Sequence, residues 1–127
     1  MASELRVNTL KDASGNNSIA TSFVAGGSAK AWAKIAGNGT SILDSFNVAS
    51  HADDGTGIGT ATFTSAMASA NFSYTGGAAT GSTYLHGLVR RGDADAAGTV
   101  KYVCANVSNA AADTTYGRTL TVHGDLA

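Results

Sequence analysis

Proline is absent from this sequence, cysteine occurs once, and aromatic residues make up only 7% of it. Without proline, one common device for blunting a sheet edge is missing, so exposed edges call for cover by neighbouring subunits. A single cysteine excludes an intrachain disulfide. Cys104 lies in the apolar run Tyr102-Val103-Cys104-Ala105 and reads as a small buried hydrophobe rather than a nucleophile. No run of about eighteen apolar residues occurs, and no membrane insertion is expected. The first residues, Met1-Ala2-Ser3-Glu4-Leu5-Arg6, carry no apolar signal segment, which points to synthesis in a reducing cytoplasm. Basic residues are not in excess: the net charge is -1. Nothing is available to neutralise a run of phosphates, so nucleic acid is not an expected partner.

Large apolar residues are also scarce. Only 23 of 127 residues are Leu, Ile, Val or Phe, and much of the remaining hydrophobic content is alanine. The chain has room for one domain, but 16 glycines and many Ser, Thr and Asn add backbone entropy that a thin core has to offset. Burial at a subunit interface is the usual remedy. Composition alone therefore points to an oligomer.

What is present is a series of short alternating segments. No stretch keeps an i, i+3, i+4, i+7 apolar stripe, and Ala66-Met67-Ala68-Ser69-Ala70 allows one helical turn at most. Strands are predicted at Leu5–Asn8, Ser18–Ala20 after the turn Gly15-Asn16-Asn17, and Ala31–Ile35 before the tight turn Asn38-Gly39. Further strands are predicted at Ser41–Val48, Gly59–Thr64, Asn71–Thr75, Thr83–Arg90, Val100–Val107 and Arg118–Gly124. In Gly59–Thr64 the threonines take one face while Ala61 and Phe63 take the other. About seven or eight short strands among these nine segments, with frequent turns between them, predict a sandwich or small barrel. The alternation also predicts that Phe46, Val48 and Phe63 point inward as structural core, with Asp44–Val48 one strand, Thr60–Thr64 its neighbour and Asp53–Gly59 the connecting loop.

Chemistry-bearing motifs are weak. His51, Asp53 and Asp54 lie close in sequence, but without ligand spacing such as H-x-x-x-H they read as a loop with solvated carboxylates. Asp93-Ala94-Asp95 lacks the glycine and terminal glutamate of a calcium loop. Arg91-Gly92-Asp93 reads as a chance tripeptide. Gly55-Thr56-Gly57-Ile58-Gly59 has no following Lys-Ser/Thr and reads as a hairpin, not a phosphate loop. No G-x-S-x-G elbow occurs. Asn16, Asn38, Asn71 and Asn106 each start an Asn-x-Ser/Thr triplet, which here reflects composition. No catalytic residue, metal or cofactor is expected. Trp32 reads as a packing anchor at the junction of an arm and a domain, in preference to a ligand-stacking face.

Two regions carry a resemblance. Ser3-Glu4-Leu5-Arg6-Val7-Asn8-Thr9-Leu10-Lys11-Asp12-Ala13-Ser14-Gly15-Asn16-Asn17-Ser18-Ile19 resembles the N-terminal module of marine phage fibre and minor virion proteins. Lys30-Ala31-Trp32, Gly37-Asn38-Gly39-Thr40, Asp44-Ser45-Phe46-Asn47-Val48-Ala49-Ser50, Asp54-Gly55-Thr56-Gly57, Thr62-Phe63-Thr64-Ser65-Ala66-Met67 and the final His123-Gly124-Asp125-Leu126-Ala127 follow in order. They resemble a domain common at the C-terminal ends of phage tail-fibre-like proteins. The resemblance implies a β-rich, trimeric, non-enzymatic virion protein. The expected architecture is an all-β chain: an extended N-terminal arm over residues 1–28 and a small, jelly-roll-like β-sandwich over residues 29–127. Leu5, Val7, Leu10, Ile19, Phe23 and Trp32 form the expected oligomer or attachment interface. The expected function is an exposed fibre-type protein that serves host attachment, with three loops, Ala52–Gly59, Gly76–Ser82 and Arg91–Gly98, turned outward. Its expected partners are its own copies in a homotrimer, other phage structural proteins (tail or major capsid protein), and a host-surface glycan or receptor. A capsid decoration (cement) protein is the alternative placement. A glycan-cleaving tail spike would need paired acids facing one cleft, and only nine acidic residues exist.

Overall fold

A computed structural model of the chain describes residues 3, 5–37, 39–79, 86–90, 95–106, 108 and 110–127. Asn38, residues 80–85 and the Arg91-Gly92-Asp93 tripeptide lie outside the described residues, as do parts of two of the outward loops read from the sequence.

Among the described residues the chain is all-β apart from one short helix. In order, the elements are β1 (Thr9–Lys11), β2 (Ser18–Ala20), α1 (Thr21–Gly27), β3 (Ala31–Ile35), β4 (Ile42–Phe46) and β5 (Val48–Gly55). They continue as β6 (Ile58–Phe63), β7 (Ser73–Ala79), β8 (His86–Arg90), β9 (Thr99–Ala105) and β10 (Gly117–His123). β1 and β2 form a separate two-stranded ladder, and the other eight form one sheet in the order β4-β3-β10-β7-β8-β9-β6-β5. Every neighbouring pair is antiparallel. The two edge strands, β4 and β5, are consecutive in sequence, so the sheet begins and ends on one bent segment.

Period-2 alternation builds the core. Ala31, Ala33 and Ile35 of β3, Ala61 and Phe63 of β6, Val100 and Tyr102 of β9, and Leu120 and Val122 of β10 are buried in one cluster with Val48, Met67 and Phe72. Both ends of the sheet order contribute to this cluster, so the sheet encloses it. Phe63 and Phe72 meet edge to face, with ring centroids 5.7 Å apart. The C-terminal tail closes the bottom: Ala68 N–H donates to the Asp125 carbonyl at 2.7 Å and Ala127 N–H to that of Ala66 at 3.0 Å. Ala66–Ala70 is thereby held as a bridge to the tail, and not as a helical turn.

Val48 and Phe63 are core residues as expected, but Phe46 is not: it is 55% exposed. The reason is Asn47, which takes φ 54°. Two residues apart along a regular strand share a face; a left-handed residue between them turns the chain and breaks that rule. Asp44–Val48 is therefore two strands meeting at a corner. Asn47 fixes the corner itself: its Nδ2 donates to the carbonyls of Lys30 (2.9 Å) and Ser65 (3.1 Å), and its Oδ1 accepts from Ser65 N–H at 2.7 Å. A second irregularity follows. Val48 pairs with Phe63 but Ser50 with Thr62, a bulge that adds one residue to β5 and brings His51 to the inner side. The expected Asp53–Gly59 loop shortens to a tight hairpin turn at Thr56-Gly57, because β5 runs on to Gly55 and β6 starts at Ile58.

The arm also departs from expectation. It is not simply extended: the first strand is Thr9–Lys11 and not Leu5–Asn8, and Thr21–Gly27 forms a helix. Asp12 organises the hairpin turn by accepting from Ser14 Oγ, Asn16 N–H and Asn17 Nδ2. Thr21 ties helix to strand, its hydroxyl donating to the Val7 carbonyl at 3.0 Å. No described residue of the arm enters the core cluster.

Candidate functional site

The described residues offer two kinds of candidate: a largely buried polar cluster at one end of the sheet, and apolar surfaces open on its outside.

The polar cluster stands at one end of the core. Arg118 shares its strand face with Leu120 and Val122 and is 0% exposed. Its Nη2 donates to Asp113 Oδ1 at 2.8 Å, and the same oxygen accepts from Gly57 N–H at 2.7 Å. Next to it, Tyr102 OH and His51 Nε2 are 2.8 Å apart, with the two rings stacked. Gly59 is required here, since a Cβ at that position would lie 2.5 Å from His51 Nε2 and 2.8 Å from Tyr102 OH. Gly57 is required at the turn above. It takes φ 69°, and a Cβ would sit 2.5 Å from the Ala112 nitrogen. Backbone bonds from Cys104 N–H to the Gly57 carbonyl (2.7 Å) and from Ala112 N–H to that of Cys104 (2.9 Å) seal the lid.

Burial decides the electrostatics of the cluster. It pushes the His51 pKa down, and the Arg118 cation pushes the same way against the smaller pull of the Gly39 backbone, Asp53 and Asp54. It pushes the Tyr102 and Cys104 pKa values up, with Arg118 opposing in both. Cys104 is thus a buried protonated thiol, as its sequence context suggests. His51 Nδ1 and Arg118 Nε and Nη1 are buried without a hydrogen-bond partner among the described residues. The group binds β5, β6, β9, β10 and the 110–116 loop together, with Arg118 and Tyr102 fully buried and Asp113 exposed at its rim. Arg118, Asp113 and Tyr102 were not marked as site residues in the sequence, although two signals were there: Arg118 alternates with Leu120 and Val122, and Tyr102 with Val100 and Cys104.

The carboxylates read as a loop cluster lie apart from it, on the hairpin β5–β6. Asp54 accepts from Thr60 Oγ1 at 2.5 Å and pairs with Lys101 Nζ at 3.4 Å; these hold its carboxyl below the usual range, the Thr60 bond most of all. Asp53 accepts from Gly55 N–H at 3.2 Å. Among the described residues, no three of His, Cys, Asp and Glu are placed to hold a metal ion.

The open surfaces comprise the interface residues read from the sequence. Leu5, Val7, Leu10, Ile19 and Phe23 are all exposed on the arm, and Trp32 is partly exposed on the sheet. Leu10 and Ile19 are cross-strand partners in the β1–β2 ladder, so their side chains share one face. Trp32 is opposite Phe46 in the β3–β4 ladder. The corner at Asn47 thus converts an expected core residue into the neighbour of the expected anchor, and the two aromatics form an outward apolar patch. The structure does not bring the arm residues and Trp32 together within one chain.

No protein-family model matches the chain, and no curated protein and no solved structure is significantly similar to it.

Proposed function

We propose that this chain is a non-enzymatic structural protein of a bacteriophage virion. It is a jelly-roll-like β-sandwich unit that assembles as a trimer and sits exposed on the particle as a fibre-type protein, with a role in host attachment. In this reading the protein is made in the host cytoplasm, its arm holds it to its own copies and to a tail or major capsid protein, and the hairpins at the far end of the sheet meet a host glycan or receptor.

The observation that carries the reading is the state of the arm. A ladder of two three-residue strands is not stable on its own in water. Neither is a seven-residue helix that lacks a side-chain cap and ends in Gly26-Gly27. Both elements nevertheless form, and both leave apolar side chains uncovered, Phe23 of the helix to 73% and Leu10 and Ile19 of the ladder to 43% and 45%. Such a segment gains its stability from another chain. The polar cluster adds support of a different kind, since its fully buried members, Arg118 and Tyr102, hold the strands and the 110–116 loop together.

Sedimentation of the full chain at micromolar concentration, together with immunogold labelling of purified particles, tests the reading. The expected results are a three-copy species and label on the particle surface. A stable monomer that is absent from particles would overturn it, and label confined to the head lattice would favour the cement-protein placement.

A further inference from the structure

Two open apolar surfaces of this chain lie on different elements. One is on the sheet: Trp32 and Phe46, paired on the outer face of β3 and β4, with Leu43 exposed in the same edge strand. Lys34 and Asp44 are opposite each other in the same ladder, so the patch is flanked by balanced charge. The other is on the arm: Leu10 and Ile19 across the β1–β2 ladder, followed by Phe23 on α1. The arm leaves the sheet at the rim of the sheet patch. The Lys30 carbonyl is bonded to the Asn47 side chain, and Lys30, Phe46, Asn47, Thr64, Ser65 and Leu126 line one shallow recess.

Resting on the assembly reading above, we infer that the arm of one copy docks through Leu10, Ile19 and Phe23 on the Trp32–Phe46 face of the next copy, and that such contacts close a three-membered ring. Two unlike surfaces on one chain make a head-to-tail contact, which closes into a ring when the rotation allows. Because the arm starts at the rim of the patch, three arms and three patches converge around one axis without a long reach. The chain does not satisfy the two surfaces internally, since Phe23 and Phe46 both stay open. The area agrees. The chain exposes 7594 Å², whereas a compact monomer of its 12.6 kDa exposes about 6,200 Å². The excess, about 1,400 Å², is close to what two standard contacts of about 800 Å² per partner remove from a ring member.

Complementation between two full-length variants tests the docking. The arm variant carries Leu10→Ser and Phe23→Ser. The face variant carries Trp32→Thr and Phe46→Thr, which keeps strand propensity. Circular dichroism and a thermal melt first confirm that each is folded, and Phe46→Thr alone replaces the double face variant if the latter melts early. Each variant by itself is expected to associate at least tenfold more weakly than the parent. Mixed, with tags of different mass, they are expected to give a two-copy complex containing one of each. The intact arm of one then meets the intact face of the other, while the remaining contact is broken. A face variant that keeps the parental three-copy assembly would overturn the docking and leave the assembly reading intact, the arms then holding one another. Two monomeric variants that form no mixed pair would also overturn it. A parent that is monomeric at micromolar concentration would overturn both.

Discussion

Asn47 is the residue on which the path of the chain turns, and a three-variant series isolates what it contributes. Its side chain makes three hydrogen bonds, one part-buried and two exposed. At about 0.5–1 kcal/mol each for bonds of this exposure, their loss costs about 2 kcal/mol. Its backbone, at φ 54°, costs a residue such as alanine about 1–2 kcal/mol more, while glycine takes the same φ freely. Asn47→Gly is therefore expected to destabilise by about 2–3 kcal/mol, including a small entropic cost of glycine, and Asn47→Ala by about 3–4 kcal/mol. Asn47→Val is expected to be worse still, because a β-branched residue tolerates positive φ least. For a chain of this length each kcal/mol moves the melting temperature by about 3–5 °C. Differential scanning calorimetry then orders the melts as parent, Gly, Ala, Val from highest to lowest. If Ala equals or exceeds Gly, the backbone is not left-handed at this position. Phe46 would then lie on the same face as Val48, and the account of the outer patch would fail with it.

The same corner predicts a contrast between two phenylalanines. Phe63→Ala should cost about 3–5 kcal/mol in urea unfolding, whereas Phe46→Ala, measured on the monomeric chain, should cost less than about 1 kcal/mol. In the polar cluster, Asp113→Ala leaves the buried Arg118 without its ionic partner. About 2–3 kcal/mol is expected, below the value for a fully buried pair because the Asp113 side chain is 52% exposed. Adding Arg118→Met to that variant should recover most of the loss in the same denaturant titration, since an apolar side chain needs no partner. His51 predicts a pH dependence. Its pKa is lowered in the folded chain, so the unfolded chain takes up the proton first, near 6.5. Its contribution is present in full above about pH 6.5 and is lost as the pH falls from there towards the folded-state value. A melting-temperature profile from pH 8 to 5 should show that slope in the parent and not in His51→Gln. Asp54, held below the usual carboxylate range, acts only below about pH 4 and leaves this window clear.

The strands that bury one face were legible because their period is a property of the backbone. Successive side chains of an extended chain point to opposite sides whatever surrounds them, so Ala31–Ile35, Ala61 with Phe63, and Leu120 with Val122 sort themselves inside and outside from residue type alone. The scarcity of large apolar residues likewise showed in advance that the core would be thin, and Cys104 showed itself as a buried residue. What the sequence left open were the places where that period is interrupted. The left-handed Asn47 is stabilised by Lys30 and Ser65, each at least 17 residues away, and no local pattern reports a bond of that range. The bulge at Ala49 shows only in the pairing of β5 with β6. It alone turns His51 inward onto Tyr102, a partner 51 residues distant. Arg118 alternates openly with apolar residues, yet propensity places arginine outside; only the approach of Asp113 and Gly57 makes its burial tolerable. Alternation is decided residue by residue along the chain. Its breaks are decided by contacts between distant segments, and here those breaks move Phe46 from the core to the outer face of the sheet.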